Sequence, residues 1–141
     1  MNKYQTLKEK QSKEFNALPM KAAFGEEQFK SMMAKWNLSM NEEDLKKVAS
    51  LGCGAFCLAK DTHLFVEMSE RHEKELKNFL STDEGLKDAF IYEFGNHECG
   101  YTFDPTDAVV ALGFTMKEVR ASERINNVFQ EAWNEYIDKC E

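Results

Sequence analysis

"THLFVEMSERHEKELKNFLST", residues 62–82, decides the fold class. Phe65, Met68, His72, Leu76 and Phe79 recur at steps of three and four, the spacing of one helical face. Glu70 with Lys74, Arg71 with Glu75 and Glu73 with Lys77 stand four apart with opposite charge. Such pairs each support a helix by about 0.2–0.5 kcal/mol. The segment therefore predicts a long amphipathic helix with charge on its outer face.

The same period continues outward in both directions. Toward the N-terminus, Tyr4, Leu7, Gln11, Phe15 and Leu18 form one stripe that Pro19 ends. "GEEQFKSMMAKWN" places Glu26 and Glu27 in a first turn, Phe29, Met32, Met33 and Trp36 inward, and Asn37 at the C-terminal cap. "SMNEEDLKKVAS" predicts a capping box of Ser39 with Glu42 and a short helix to about Ala49. Toward the C-terminus, "DEGLKDAFIYEFG" reads as a helix stopped by Gly95, although "AFIYEF" also suits a strand. Asp104 and Pro105 read as cap and first residue of a brief helix ending at Gly113. Thr115 with Glu118 forms a second capping box. A last helix from about Glu123 to Lys139 buries Ile125, Val128, Phe129, Ala132, Trp133, Tyr136 and Ile137. The expected fold is mainly α: residues 1–141 as a single helical domain, a bundle of six or seven helices, with one small β-hairpin near residues 48–60.

Composition agrees. The chain has 141 residues, 43% of them hydrophobic and 30% charged, which suits one globular domain. Seven Gly and two Pro are too few for an all-β fold with many tight turns. No apolar run approaches the roughly 20 residues of a membrane span, and "MNKYQTLKEK" lacks the apolar core of a signal peptide. A cytoplasmic location with reduced cysteines is the expectation. The net charge of -7 is uneven: +3 over residues 1–40, -2 over 41–80 and -8 over 81–141. An acidic C-terminal half predicts a protein partner with a basic surface, and Glu131, Glu135 and Asp138 on the last helix are the candidate contact residues.

Two stretches hold side chains with metal or nucleophile chemistry. "LGCGAFCLAKDTH" and "NHECGY" contain three of the four cysteines and two of the three histidines. Cys53, Cys57, His97 and Cys99 would offer zinc three thiolates and an imidazole. The H-x-C spacing is poor, because residues two apart on an extended chain stand roughly 6–7 Å apart. A Cys–His nucleophile would need a third group to orient the base. "GCG" lacks the rest of either nucleotide fingerprint, and no cofactor is expected. His72 reads as a hydrogen-bonded core histidine.

Residues 104–124, "DPTDAVVALGFTMKEVRASER", have the outline of a helix-turn-helix around Gly113. Lys117, Arg120 and Arg124 step by three and four, so one helical face would meet phosphate. Glu118 and Glu123 interleave with them, and the acidic surroundings disfavour nucleic acid. A DNA-binding regulator and a zinc-stabilised domain are thus alternatives to the leading expectation, a non-enzymatic protein that binds another macromolecule.

"KYQTLKEKQSKEFNALPMKAAFGEEQFKSMMAKW", "ERHEKELKNFL", "YEFGNHE" and "ALGFTMKEV" together resemble a family of small uncharacterised proteins of phages and mobile elements in gut-type bacteria. The resemblance covers most of the chain. It implies a mostly helical accessory protein that modulates a host or defence machine, and it brings no catalytic residues.

Overall fold

The structure, a computed structural model, describes residues 2–140. Among them are nine α-helices and three short strands: α1 (Lys3–Asn16), β1 (Lys21–Ala22), α2 (Glu26–Lys35), α3 (Glu42–Leu45), β2 (Val48–Gly52), β3 (Ala55–Leu58), α4 (Thr62–Leu80), α5 (Asp83–Asn96), α6 (Cys99–Thr102), α7 (Thr106–Ala111), α8 (Met116–Ala121) and α9 (Glu123–Cys140). The fold is mainly α, as the periodicity predicts. Nine helices replace six or seven, with α3 and α6 single turns of four residues. No helix of the described residues is long and apolar enough to cross a membrane. The chain divides into two compact units: Gln11–His72, here the sheet unit, and the rest, here the helical unit.

In the sheet unit the strands form an antiparallel sheet in the order β1-β3-β2. Val48 faces Leu58 and Ser50 faces Phe56, while the register shifts between Ser50 and Gly52. Cys53 (φ 52°) and Gly54 (φ 80°) form the two-residue turn. Positive φ at both positions is what a type I′ hairpin turn needs to match strand twist. The glycines around Cys53 therefore serve a hairpin, as expected. The Phe24 ring lies over Gly54 so closely that an added Cβ would stand 2.3 Å from it. Ala23, Met32 and Met33 are buried with Phe29, Trp36, Leu38, Val48 and Phe56 packed on them.

The third helix ends sooner than the sequence suggests. Asn41, not Ser39, caps α3 by accepting from the Asp44 N–H. Ser39 instead donates its N–H and hydroxyl to the Asp44 carboxylate at 2.8 and 2.9 Å. Residues from Val48 onward then pair with β3, because the β-branched Val48 and the hairpin ladder outweigh a helical continuation. Asn37 takes the left-handed conformation (φ 60°) after α2, as its capping role requires.

The helical unit is built around α5. Leu86, Ala89, Phe90, Glu93 and Phe94 of that helix are all buried, and Ile91 and Tyr92 are half-buried. An element covered on more than one side has no single apolar stripe, which is why "AFIYEF" also reads as a strand. Phe90 and Phe94 stack at 5.9 Å, and both meet the Phe129 ring of α9 edge-on at 5.4 and 5.7 Å. Gly95 does not stop α5; the helix runs to Asn96, and Glu98 takes the left-handed turn instead (φ 51°).

Around Gly113 (φ 88°) the α7 helix closes with a Schellman motif: the Gly113 N–H donates to the Val110 carbonyl at 2.9 Å and the Phe114 N–H to Val109 at 3.1 Å. The Thr115–Glu118 capping box then opens α8, as predicted. The start of α7 shifts by one residue: Pro105 is the cap position, and Asp104 Oδ1 accepts from the Thr106 N–H and hydroxyl.

Candidate binding surfaces

The cysteine and histidine set falls two and two between the units: Cys53 and Cys57 in the sheet unit, His97 and Cys99 in the helical unit. Cys53 is exposed at the hairpin tip, whereas Cys57 is fully buried on β3. Burial, helped by Asp61, pushes the Cys57 thiol up from its ordinary value. Cys99 is also fully buried, and burial with Asp104 and Asp107 raises it too. A reactive or metal-bound sulfur needs the opposite shift, toward thiolate. The imidazole of His97 points at Glu93 rather than presenting itself as a base to Cys99.

Glu93 is the one buried charged side chain among the described residues, at 4% exposure. The Tyr4 hydroxyl donates to its Oε1 at 3.0 Å. His97 Nε2 stands 3.2 Å from its Oε2, and Asn96 Nδ2 donates there at 3.4 Å. A buried carboxylate is tolerated only when its oxygens are paired, and this one is. Sequence reading missed it because Glu93 sits in a run that also supplies exposed acids. The usable signal was the i,i+4 spacing of Glu93 and His97, with Glu93 inside the otherwise apolar run of residues 89–94. Burial and then the Glu93 charge hold the Tyr4 hydroxyl well above the usual tyrosine range. In the unfolded chain Tyr4 sheds its proton near pH 10, before it does so in the folded chain. Stability from this pair is therefore full below about pH 10 and falls as pH rises further. Tyr4→Phe is expected to cost about 1–3 kcal/mol at neutral pH, by orphaning Glu93 Oε1, and to flatten the alkaline decline. Urea unfolding at pH 7 and above pH 10 measures both.

The three acids expected to meet a partner are not equivalent. Lys87 of α5 reaches Glu131 at 3.1 Å and Glu135 at 2.7 Å, and Lys139 lies 3.5 Å from Glu135. The Lys87 hydrogen bond lowers the Glu135 carboxyl below its ordinary value. Two of the three charges are thus largely answered within the helical unit, while Asp138 is exposed. Lys117, Arg120 and Arg124 do not share one helical face. Ser122 is extended (φ -101°, ψ 116°), which breaks the chain between α8 and α9 and changes the angular step before Arg124. Arg124 donates to Asp83 Oδ1 at 2.8 Å and to the Leu80 carbonyl at 3.0 Å, so it ties α9 to the α4–α5 corner. Lys117 and Arg120 are exposed on a helix of six residues.

His72, on α4, is half-buried, with Nε2 3.6 Å from Glu14 Oε2, longer than a hydrogen bond.

A different surface of the helical unit stands out. Tyr101 is 88% exposed and Phe103 69%, two residues apart at the end of α6. Phe103 is left-handed (φ 55°, ψ 26°), and so is Glu98 at the start of that turn. Val110 of α7 is also exposed. Glu98, Asp104 and Asp107 in the same stretch are exposed acids. The sequence gives little warning of this, because aromatic residues near a predicted turn are normally counted toward the core.

The chain belongs to the family of unknown function DUF7659, which it matches over residues 3–135. Comparison with curated proteins and with solved structures gave no match.

Proposed function

We propose that this is a non-enzymatic accessory protein that binds another protein through the aromatic and acidic surface of its helical unit. The observation that carries this is Phe103, an aromatic residue held exposed in a left-handed conformation beside an almost fully exposed Tyr101. A left-handed non-glycine residue costs about 1–2 kcal/mol, and an exposed phenyl ring returns nothing to the free chain. Such an arrangement gains energy only when something covers it.

The charge pattern says what suits it. Guanidinium groups stack on aromatic faces and pair with carboxylates, so an arginine-bearing basic surface matches Tyr101 and Phe103 beside Glu98, Asp104 and Asp107. The -8 charge of residues 81–141 adds attraction at longer range. Origin in a phage or mobile element, with a host or defence protein as the target and the cytoplasm as the place, completes the proposal and rests on the resemblance of the sequence.

Affinity capture from a lysate of the source cells tests it. The double variant Tyr101→Ala/Phe103→Ala should lose the partner, with about 2 kcal/mol or more per anchor, near thirtyfold each. Replacing Asp104 and Asp107 with Asn should weaken capture and reduce its salt dependence. Glu131→Lys/Glu135→Lys/Asp138→Lys should matter less, because Lys87 already answers two of those charges. A partner retained equally by all variants rules the surface out.

A further inference from the structure

We propose that the sheet unit carries a small-molecule site for a nucleoside monophosphate, formed by Trp36, Leu38 and Leu58 beneath Lys46, Lys47 and Lys60. These residues line one cavity of about 380 Å³. That is at the small end of ligand pockets, about 300–1,000 Å³, and suits a ligand of mononucleotide size.

The backbone explains how residues so far apart in sequence meet. Asn37 turns left-handed after α2, and the Leu38 N–H returns to the Met33 carbonyl at 2.9 Å, which sets Trp36 and Leu38 side by side. Lys46 and Lys47 follow α3 directly. The Ala59 N–H donates to the Lys47 carbonyl at 2.7 Å, and Val48 pairs with Leu58. Sheet register thus brings the segment after α3 alongside the 3-10 turn Ala59–Asp61 that holds Lys60.

The chemistry of the lining is one-sided. It contains three lysines and no acid. Lys47 is answered by Asp44 at 3.2 Å. Lys46 and Lys60 are exposed, and no described carboxylate pairs with either. Their charge is left for a ligand, and lysine ammonium groups bind phosphate as point charges. The floor is apolar, with an indole on which a base can stack at about 1–3 kcal/mol. Lys21 covers one face of the same indole, 5.8 Å from the ring centroid, so a base would stack on the opposite face. An anion without a ring would leave the floor wet, and a ring without an anion would leave the lysines unanswered.

Titration of the intact protein with adenosine monophosphate, followed by amide chemical shifts and calorimetry, tests this. Saturable binding is expected, with shifts at residues 36–38, 46–48 and 58–60. Adenosine alone and inorganic phosphate alone should each bind at least about tenfold more weakly, since each supplies half of the recognition. Lys46→Gln and Lys60→Gln should each weaken binding about tenfold. Both side chains are exposed, so the fold is retained, and unchanged amide spectra of the free variants check it. Trp36→Leu should abolish the shifts, whereas Tyr101→Ala/Phe103→Ala should leave them intact, which separates this site from the protein-binding surface. No saturation by about 10 mM, a dissociation constant too weak for specific recognition, overturns the proposal. So does binding indifferent to both glutamine variants. A single-stranded oligonucleotide that binds far more tightly than the mononucleotide, with steep salt dependence, would replace it with a nucleic-acid surface.

Discussion

Phe94→Ala is expected to remove about 3–5 kcal/mol of stability, the largest loss from any single side chain in the helical unit. The Phe94 ring is completely buried. It stacks on Phe90, meets Phe129 and Trp133 edge-on at 5.7 and 5.1 Å, and tilts against Tyr136 at 5.6 Å. Those four partners come from α5 and α9, so the cavity left by alanine opens at the seam between the two longest-packed helices of the unit. Rigid rings on every side cannot collapse into the space, which puts the cost at the upper end of the range. Native domains hold only about 5–15 kcal/mol in all, so a third or more of the total is at stake. Chemical denaturation should show a lower midpoint with an unchanged slope. A loss below about 1.5 kcal/mol would mean that the ring is not packed in this way.

Two glycines of the same helix should respond to alanine with opposite signs. Gly85 lies in the first turn of α5, where its N–H donates to the Thr82 hydroxyl at 3.0 Å. A Cβ there would stand 2.1 Å from the Phe79 carbonyl oxygen and 2.8 Å from Thr82 Oγ1. The first is backbone and cannot swing aside, so the α4–α5 corner itself must move. Alanine gains about 1 kcal/mol of helix propensity over glycine, but overpacking against backbone costs about 3 kcal/mol or more. The net expectation is a loss of about 2 kcal/mol, a fall in Tm of roughly 4–8 °C for a chain of this size. At Gly95 the nearest atom to an added Cβ is Tyr136 Cε1 at 4.0 Å, ordinary contact. Gly95→Ala should therefore gain about 0.5–1 kcal/mol. Thermal unfolding of the two variants side by side is the check. Stabilisation by both would place the α4–α5 corner further from Gly85 than it is here.

These effects mark what is legible in a linear chain. The stripe of residues 62–82, the Thr115–Glu118 box, the turn at Gly113 and the glycines flanking Cys53 are each written within a few residues of themselves. Local hydrogen bonding and backbone sterics act over that same range, so the helices, the hairpin and the mainly-α class could be read directly. Where two local signals compete, the reading slips: Ser39 with Glu42 looks like a cap, but Asn41 is closer to the helix and Asp44 is worth more to Ser39 as an acceptor.

The sites are a different matter. Glu131 and Asp138 look alike in sequence, yet Lys87 from another helix answers one and not the other. Cys53 and Cys57 look like a pair, yet one sits at a hairpin tip and the other inside the sheet unit. Trp36, Lys46 and Lys60 share no motif and meet only through β-register. The sequence by itself determined the helices, the hairpin and the acid balance, because periodicity and net charge are sums over neighbours. Tertiary structure alone decided which charges are spent, which thiols are sealed and which aromatic rings stay in water. Burial and pairing depend on contacts between residues distant along the chain, and no spacing rule encodes those.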